Sequence, residues 1–182
     1  LLGGLIQVEG ANGRLFLNSS RGQSWDLTEN SFDGSIPVAG EKKVVVKFSN
    51  GAFEISTSED SQFLWDCRAG GFRSTLNPTI NSEGVSLDLR GLLWTKCQLR
   101  VPKNTEFLIE GSNGNFEFEK PFFNITANLA NGNISILPDS DKKYRYDLSV
   151  VNGKMDSFVS SNRPEAFSIN IHLKNGRINR EK

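Results

Sequence analysis

Histidine, methionine and cysteine are scarce in this chain, and the scarcity removes whole classes of function. The 182 residues include one histidine, one methionine and two cysteines. The lone His172 excludes catalysts that need several histidines. Cys67 and Cys97 have no histidine or third cysteine beside them, so zinc is excluded by ligand count. They form either a structural disulfide, if the protein is exported, or two buried thiols.

The chain also lacks an excess of charge and a long apolar run. Lysine and arginine number 21, as do aspartate and glutamate. This balance argues against nucleic acid or anionic membranes as general partners. The apolar stub Leu1–Ile6 is far short of the roughly 20 residues that span a bilayer. Because it is too short to span a bilayer, we expect membrane association only through a segment outside this chain. The stub is either a remnant of a signal or anchor segment or a first core strand.

The chain is rich in glycine and phenylalanine, with 17 and 13 residues. Its hydrophobic fraction is 37%. Such a composition favours many turns, a β-rich interior and a thin core. Because the chain starts at Leu1 without a methionine, we expect a processed or truncated product. The length suits one domain over residues 1–182.

The dipeptide Asn-Gly recurs along the chain, and its later copies are roughly 20 residues apart. The copies begin at Asn12, Asn50, Asn113, Asn131, Asn152 and Asn175. In every frame the positions six, four and two before the asparagine, and three and five after it, are almost all apolar. The residues between them are mostly polar, and this alternation predicts half-buried strands. The pattern is regular over 99–182 and blurred over 56–100.

Two all-β architectures fit these units. Asn-Gly between alternating strands is typical of a β-hairpin, which favours an antiparallel meander or sandwich. That pairing would set Glu110 opposite Glu117, an unfavourable contact. In a β-solenoid each unit is one coil, and equal positions stack on the next coil. The solenoid predicts a turn ladder of Asn113, Asn131, Asn152 and Asn175, with Phe116, Ile134, Met155 and Ile178 stacked inside.

The residues that recur around these turns carry a family resemblance. The segments VPK at 101–103, IEGSNGNFEF at 109–118 and NGNISI at 131–136 resemble bacterial putative adhesin families, including the head domain of putative auto-transporter adhesins; VVVKFSNG at 44–51 is similar. The resemblance implies a single-stranded right-handed parallel β-helix in an exported or envelope-attached protein. It supplies no catalytic residues that could be assigned to this sequence.

Motifs that carry chemistry are missing from the sequence. It has no phosphate-binding glycine loop, no dinucleotide fingerprint and no nucleophile elbow. His172 stands at an outward strand position, and Asp139 and Asp141 are too few for a calcium loop. The mixed basic and aromatic run 142–146 is interpreted as a solvated edge. Trp25, Trp65 and Trp94 are candidate carbohydrate contacts, with burial in the core as the alternative.

We therefore expect a non-enzymatic surface or envelope domain with no cofactor and no metal. Its localisation would be exported, whether periplasmic, outer-surface or envelope-associated, and its partner a surface glycan or another envelope protein. One alternative is a carbohydrate-active enzyme on the same β-helix scaffold. The other is an extracytoplasmic regulatory domain of a membrane-anchored protein, which the apolar stub favours.

Overall fold

The regular structure of the protein consists of β-strands. The computed structural model describes residues 7–11, 14–18, 24–38, 43–71, 79–81 and 84–181. The strands are β1 (Gln7–Ala11), β2 (Arg14–Asn18), β3 (Ser24–Pro37), β4 (Lys43–Ser58), β5 (Gln62–Gly70), β6 (Thr79–Asn81), β7 (Gly84–Leu89), β8 (Trp94–Pro102), β9 (Glu106–Glu119), β10 (Asn124–Leu137), β11 (Tyr144–Met155) and β12 (Phe167–Arg180).

These strands form one mixed sheet. Hydrogen-bonded neighbours follow the order β1-β2-β3-β5-β8-β4-β9-β10-β12-β11, while β6 and β7 lie off this path. Pairing is antiparallel from β1 to β8 and between β6 and β7. From β8 through β4 to β11, every pair is parallel and in register. β7 and β8 both pair with β4, one along each of its halves.

The predicted all-β class is confirmed, but the sheet is neither wholly parallel nor wholly antiparallel. β5 runs antiparallel to β8, and β3 in turn runs antiparallel to β5, so the early strands do not stack as coils. Spatial order also departs from chain order, because β4 lies between β8 and β9, and β12 lies between β10 and β11. The blurred stretch 56–100 therefore contains the change from parallel to antiparallel pairing.

In the longest parallel strands, the set of buried positions changes from one side of the strand to the other at Asn-Gly. In β10 the buried residues before the dipeptide are Ile125, Ala127 and Leu129, whereas those after it are Ile134 and Ile136. Odd positions are buried first and even positions afterwards, which a straight strand cannot do, since successive side chains leave opposite faces. The dipeptide is therefore where the chain turns its apolar face toward one continuous core.

That core is a single cluster built from rows of residues that share a register position. Phe53 and Phe116 occupy neighbouring strands, and their rings stack with centroids 4.8 Å apart. Gly111 occupies a core position with no side chain, and the ring of its register partner Phe48 fills the space. Residues far apart in the chain thus complete each layer of the core.

Two features of the sequence lie outside the described residues, namely the stub 1–6 and the dipeptide Asn12-Gly13. The strands that flank this dipeptide are described, and they pair antiparallel with Ala11 opposite Arg14. Within the described chain we find no apolar helix of bilayer-spanning length.

Candidate functional site

The asparagines of five strands form a continuous ladder of side-chain amides. In spatial order the ladder contains Asn50, Asn113, Asn131, Asn175 and Asn152. Each Nδ2 atom donates to the Oδ1 atom of the preceding asparagine at 2.8 or 2.9 Å. The structure thus brings together the four asparagines selected from the sequence and adds Asn50. Asn175 precedes Asn152 because β12 lies between β10 and β11.

The ladder has a direction, and its two ends differ. All Nδ2 donors point toward β4, where Asn50 Nδ2 donates to the Leu93 carbonyl at 3.1 Å. Thr95 Oγ1 donates to the Asn50 carbonyl at 3.1 Å, so this end is closed by backbone and hydroxyl groups. At the other end Asn152 belongs to β11, which is the last strand of the path. The ladder therefore stops at an outer strand.

The glycines that follow Asn131, Asn152 and Asn175 permit a close approach of neighbouring backbones. Gly132, Gly153 and Gly176 have φ values of 156°, 157° and 137°, a conformation that side chains rarely adopt. A Cβ on Gly132 would collide with the carbonyl oxygen of Gly114, and one on Gly176 with that of Gly132. Glycine is therefore required by the stacked backbones as well as by φ.

The apolar row beside the ladder is buried along most of its length. Phe116, Ile134 and Ile178 are register partners and are 2%, 0% and 0% exposed. Met155 pairs with Ile178 but is 48% exposed. The expectation that Met155 lies inside is wrong, because none of the described strands covers the far side of β11.

The candidate tryptophans do not form one surface. Trp65 is 8% exposed and its ring covers Gly34 of the adjacent strand, so it offers no open face to a sugar. Trp94 is 43% exposed and covers Gly70. The alternating burial of β5 and β8 puts these two tryptophans on opposite faces of the sheet. Trp25 lies in β3, and its side chain is outside the described residues.

Cys67 and Cys97 are joined by a disulfide between directly opposed residues of β5 and β8. Both residues are 1% exposed. The bridge joins β5 to β8. β8 pairs antiparallel with β5 on one side and parallel with β4 on the other. The bridge therefore ties the two parts of the sheet together where the pairing changes.

His172 lies on the outer face of β12, where its Nδ1 atom is 2.8 Å from Ser149 Oγ of β11. Both side chains are exposed. The remaining register neighbour of His172 is Asn128, which cannot act as the carboxylate that orients a catalytic imidazole. Other rows of this face carry ion pairs, such as Lys47 with Glu110 at 3.2 Å. This arrangement suits cross-strand hydrogen bonding better than nucleophilic chemistry.

A cleft of about 500 Å³ opens beside β11. Its walls come from three separate parts of the chain, namely the loop 137–143, the loop 159–163 and the end of β12 at 180–181. The second loop is held to β11 by two hydrogen bonds, from Ser161 N to the Tyr144 carbonyl at 2.8 Å and from Tyr146 N to Ser160 Oγ at 3.0 Å. The cleft is thus built on a strand rather than on loops alone.

Two tyrosines of β11 line this cleft. Tyr144 is 4% exposed, and its hydroxyl accepts a hydrogen bond from Asp139 N at 3.2 Å. Burial raises the pKa of Tyr144. Burial, with a smaller contribution from Tyr144, raises the pKa of Tyr146 to about 12 despite the opposing charge of Arg180. Both phenols are therefore neutral donors at ordinary pH.

The described part of the chain contains no cluster of side chains that could bind a metal ion. Asp139 Oδ1 accepts a hydrogen bond from Asp141 N at 2.8 Å, so this carboxylate closes a turn. The sequence interpretation of 142–146 as a solvated edge missed the cleft. The mixture of lysines and tyrosines was the only local signal of a site in this segment. The opposite wall of the cleft, at 159–163, lies in a later part of the chain.

Comparison with known proteins gives a structural likeness only, because no family model and no curated protein matches the chain. A putative cell adhesion protein from Clostridium sporogenes ATCC 15579 aligns with a TM-score of 0.55 and 9% identity, over 85% of this chain and 100% of that one. A putative adhesin from Parabacteroides merdae ATCC 43184 aligns with a TM-score of 0.28 and 9% identity, over 84% and 96%. The first of these likenesses shows a shared fold.

Proposed function

We propose that this protein is a non-enzymatic binding module of the cell surface or envelope, one domain over 1–182, whose ligand is a surface glycan held in the cleft beside β11. The observation that carries the proposal is the cleft itself, because its volume lies within the range of small-molecule sites and two aromatic side chains line it. The fold shared with a putative cell adhesion protein supports the same assignment.

The proposal includes a β-solenoid in the parallel part of the sheet. The in-register stacking of β4, β9, β10, β12 and β11 supports a single-stranded right-handed β-helix there, with one strand from each coil. Identical amides at the same position of each strand are the stacking that such a fold requires. A scaffold of this kind is rigid and presents the cleft at one end.

Export is the proposed localisation, in the periplasm, on the outer surface or attached to the envelope. The disulfide between Cys67 and Cys97 supports it, because disulfides persist in oxidising compartments and are rare in the cytosol.

The proposed function is tested by retention of protein-coated beads on a panel of immobilised neutral and acidic glycans. Val159 is 82% exposed and lines the cleft, so Val159→Trp fills it without disturbing the core. Val151→Trp is the matched control, since Val151 is 74% exposed and lies outside the cleft. We expect retention that Val159→Trp abolishes and Val151→Trp preserves; equal loss or no retention would contradict the proposal.

The same panel separates binding from catalysis. Incubation with neutral and uronic-acid polysaccharides, followed by assay of reducing ends and unsaturated products, should show no turnover. Turnover that disappears when a single carboxylate is substituted would establish the carbohydrate-active enzyme instead.

A further inference from the structure

The charges around the cleft are unequal although the whole chain is neutral. Lys142, Lys143, Arg163 and Arg180 line it, against the carboxylates of Asp139 and Glu181. A concave site with an excess of one charge concentrates ions of the opposite sign. The cleft therefore favours an anionic ligand.

Not all of these cations are equally available. Arg163 lies 3.7 Å from Glu165, and Lys142 lies over the Phe122 ring at 5.0 Å. For Lys143 and Arg180, no carboxylate of the described chain comes within ion-pair distance. A guanidinium with free donors binds a carboxylate through two parallel hydrogen bonds. Arg180 is thus the strongest anchor for an acidic group.

Tyr146 supplies a neutral donor beside that anchor. Its ring packs against Phe158 with centroids 4.9 Å apart, which holds the phenol in place. Within the described residues its hydroxyl makes no hydrogen bond, and its proton is retained at ordinary pH because burial raises its pKa. Tyr146 and Arg180 both line the cleft, so a ligand held there can reach the phenol and the guanidinium together.

The remaining lining suits a ring that carries hydroxyl groups. Pro138 and the exposed Val159 offer apolar surface, while Ser140 and Ser161 offer hydroxyls. Sugars present apolar ring faces and equatorial hydroxyls together, whereas a simple anion would use only the cations. The combination of cation, phenol and apolar wall fits an acidic sugar better than an inorganic anion.

We propose that the cleft binds a saccharide bearing a carboxylate, with Arg180 and Lys143 holding the carboxylate and the Tyr146 hydroxyl donating to a sugar oxygen. This inference rests on the proposed glycan-binding function and adds the chemical class of the ligand.

The test measures binding of trigalacturonic acid and of its fully methyl-esterified form by titration calorimetry. The two probes share a skeleton and differ in charge. We expect the acid to bind at least about tenfold more tightly than the ester, and Arg180→Gln to weaken acid binding by about tenfold, because a charge-assisted hydrogen bond is lost. Tyr146→Phe should weaken both probes by a few fold.

Arg177→Gln is the matched control, since Arg177 is an exposed arginine of the same strand outside the cleft. It should leave binding unchanged, and raising the salt concentration should weaken the acid but not the ester.

Each other outcome would overturn either the acidic class of the ligand or the glycan-binding function. Equal binding of acid and ester, with Val159→Trp still blocking both, would overturn the acidic class and keep the glycan-binding function. Displacement of the acid by equimolar inorganic phosphate would identify a simple anion site. Failure of both probes, while beads are retained on neutral glycans, would also overturn the inference; failure of the whole panel would overturn the proposed function.

Discussion

The strands that flank an Asn-Gly dipeptide pair in two different ways in this molecule. Asn12-Gly13 lies between β1 and β2, which pair with each other antiparallel. Asn131-Gly132 lies within one continuous strand, whose neighbours on both sides are parallel. The presence of Asn-Gly in the sequence therefore does not by itself decide whether the flanking strands pair with each other or with parallel neighbours. In the parallel region, both strands beside β10 offer an asparagine and a glycine at the same register position.

The two regions are also held together by different means. In the parallel region, rows of amides, glycines and apolar side chains repeat from strand to strand. In the antiparallel region, single contacts carry the packing, such as the Trp65 ring over Gly34 and the bridge from Cys67 to Cys97. The consequences of substitution should therefore spread along a row in one region and stay local in the other.

The largest effect is expected from a methyl group added between stacked backbones. Gly132→Ala should destabilise the protein by about 4 kcal/mol, because an unfavourable φ and displacement of the adjacent strand add together. The matched change in the antiparallel region, Gly34→Ala, meets the Trp65 ring and should cost about 2 kcal/mol. Urea unfolding followed by circular dichroism measures both, and equal costs would show that the backbone stacking is not the stricter constraint.

Reduction of the disulfide should have the next largest effect. A loop-entropy model gives about 3 to 4 kcal/mol for a bridge across 30 residues. After reduction, amide hydrogen exchange should accelerate in β3 and β5 more than in β9 and β10, since the bridge ties the antiparallel strands to the parallel ones. Unfolded, unreduced protein should contain no titratable thiol; two free thiols would contradict the bridge.

A cavity in the apolar row should cost somewhat less. Ile134→Ala removes a side chain that is 0% exposed between two neighbours, for an expected loss of about 3 kcal/mol. Met155→Ala, at the end of the same row, should cost less than about 1 kcal/mol because the side chain is 48% exposed. Similar costs from thermal or urea unfolding would mean that β11 is covered in solution.

The smallest effect is expected from the amide ladder, whose members are mostly exposed. Asn131→Ala breaks two ladder hydrogen bonds and should cost about 1 kcal/mol, whereas Asn152→Ala breaks one and should cost about half as much. A double-mutant cycle between Asn131 and Asn175 measures their coupling. Zero coupling would show that the ladder follows the backbone stacking without stabilising it.

The strands and their buried positions could be predicted from local patterns, but the pairing order and the cleft could not. Phe116, Ile134 and Ile178 were identified as one row because the apolar offset from Asn-Gly repeats. Nothing local indicated that Asn50 would contact Asn113, which lies 63 residues away. The cleft was missed for a related reason: the repeat assigns Tyr146 and Arg180 to core offsets of two different units, Ser161 lies between strands, and nothing in their own segments indicates that they meet.

The alternation of apolar and polar residues indicated most of the side chains that face the core, because successive side chains of a strand point to opposite faces of the sheet. It could not decide which coil lies beside which, since every Asn-Gly strand carries the same backbone donors and acceptors and nearly the same amide. That choice depends on long-range fit, such as the Phe48 ring that fills the space over Gly111. The placement of β12 between β10 and β11, and hence the exposure of Met155 and the cleft beside β11, follows from the folded structure alone.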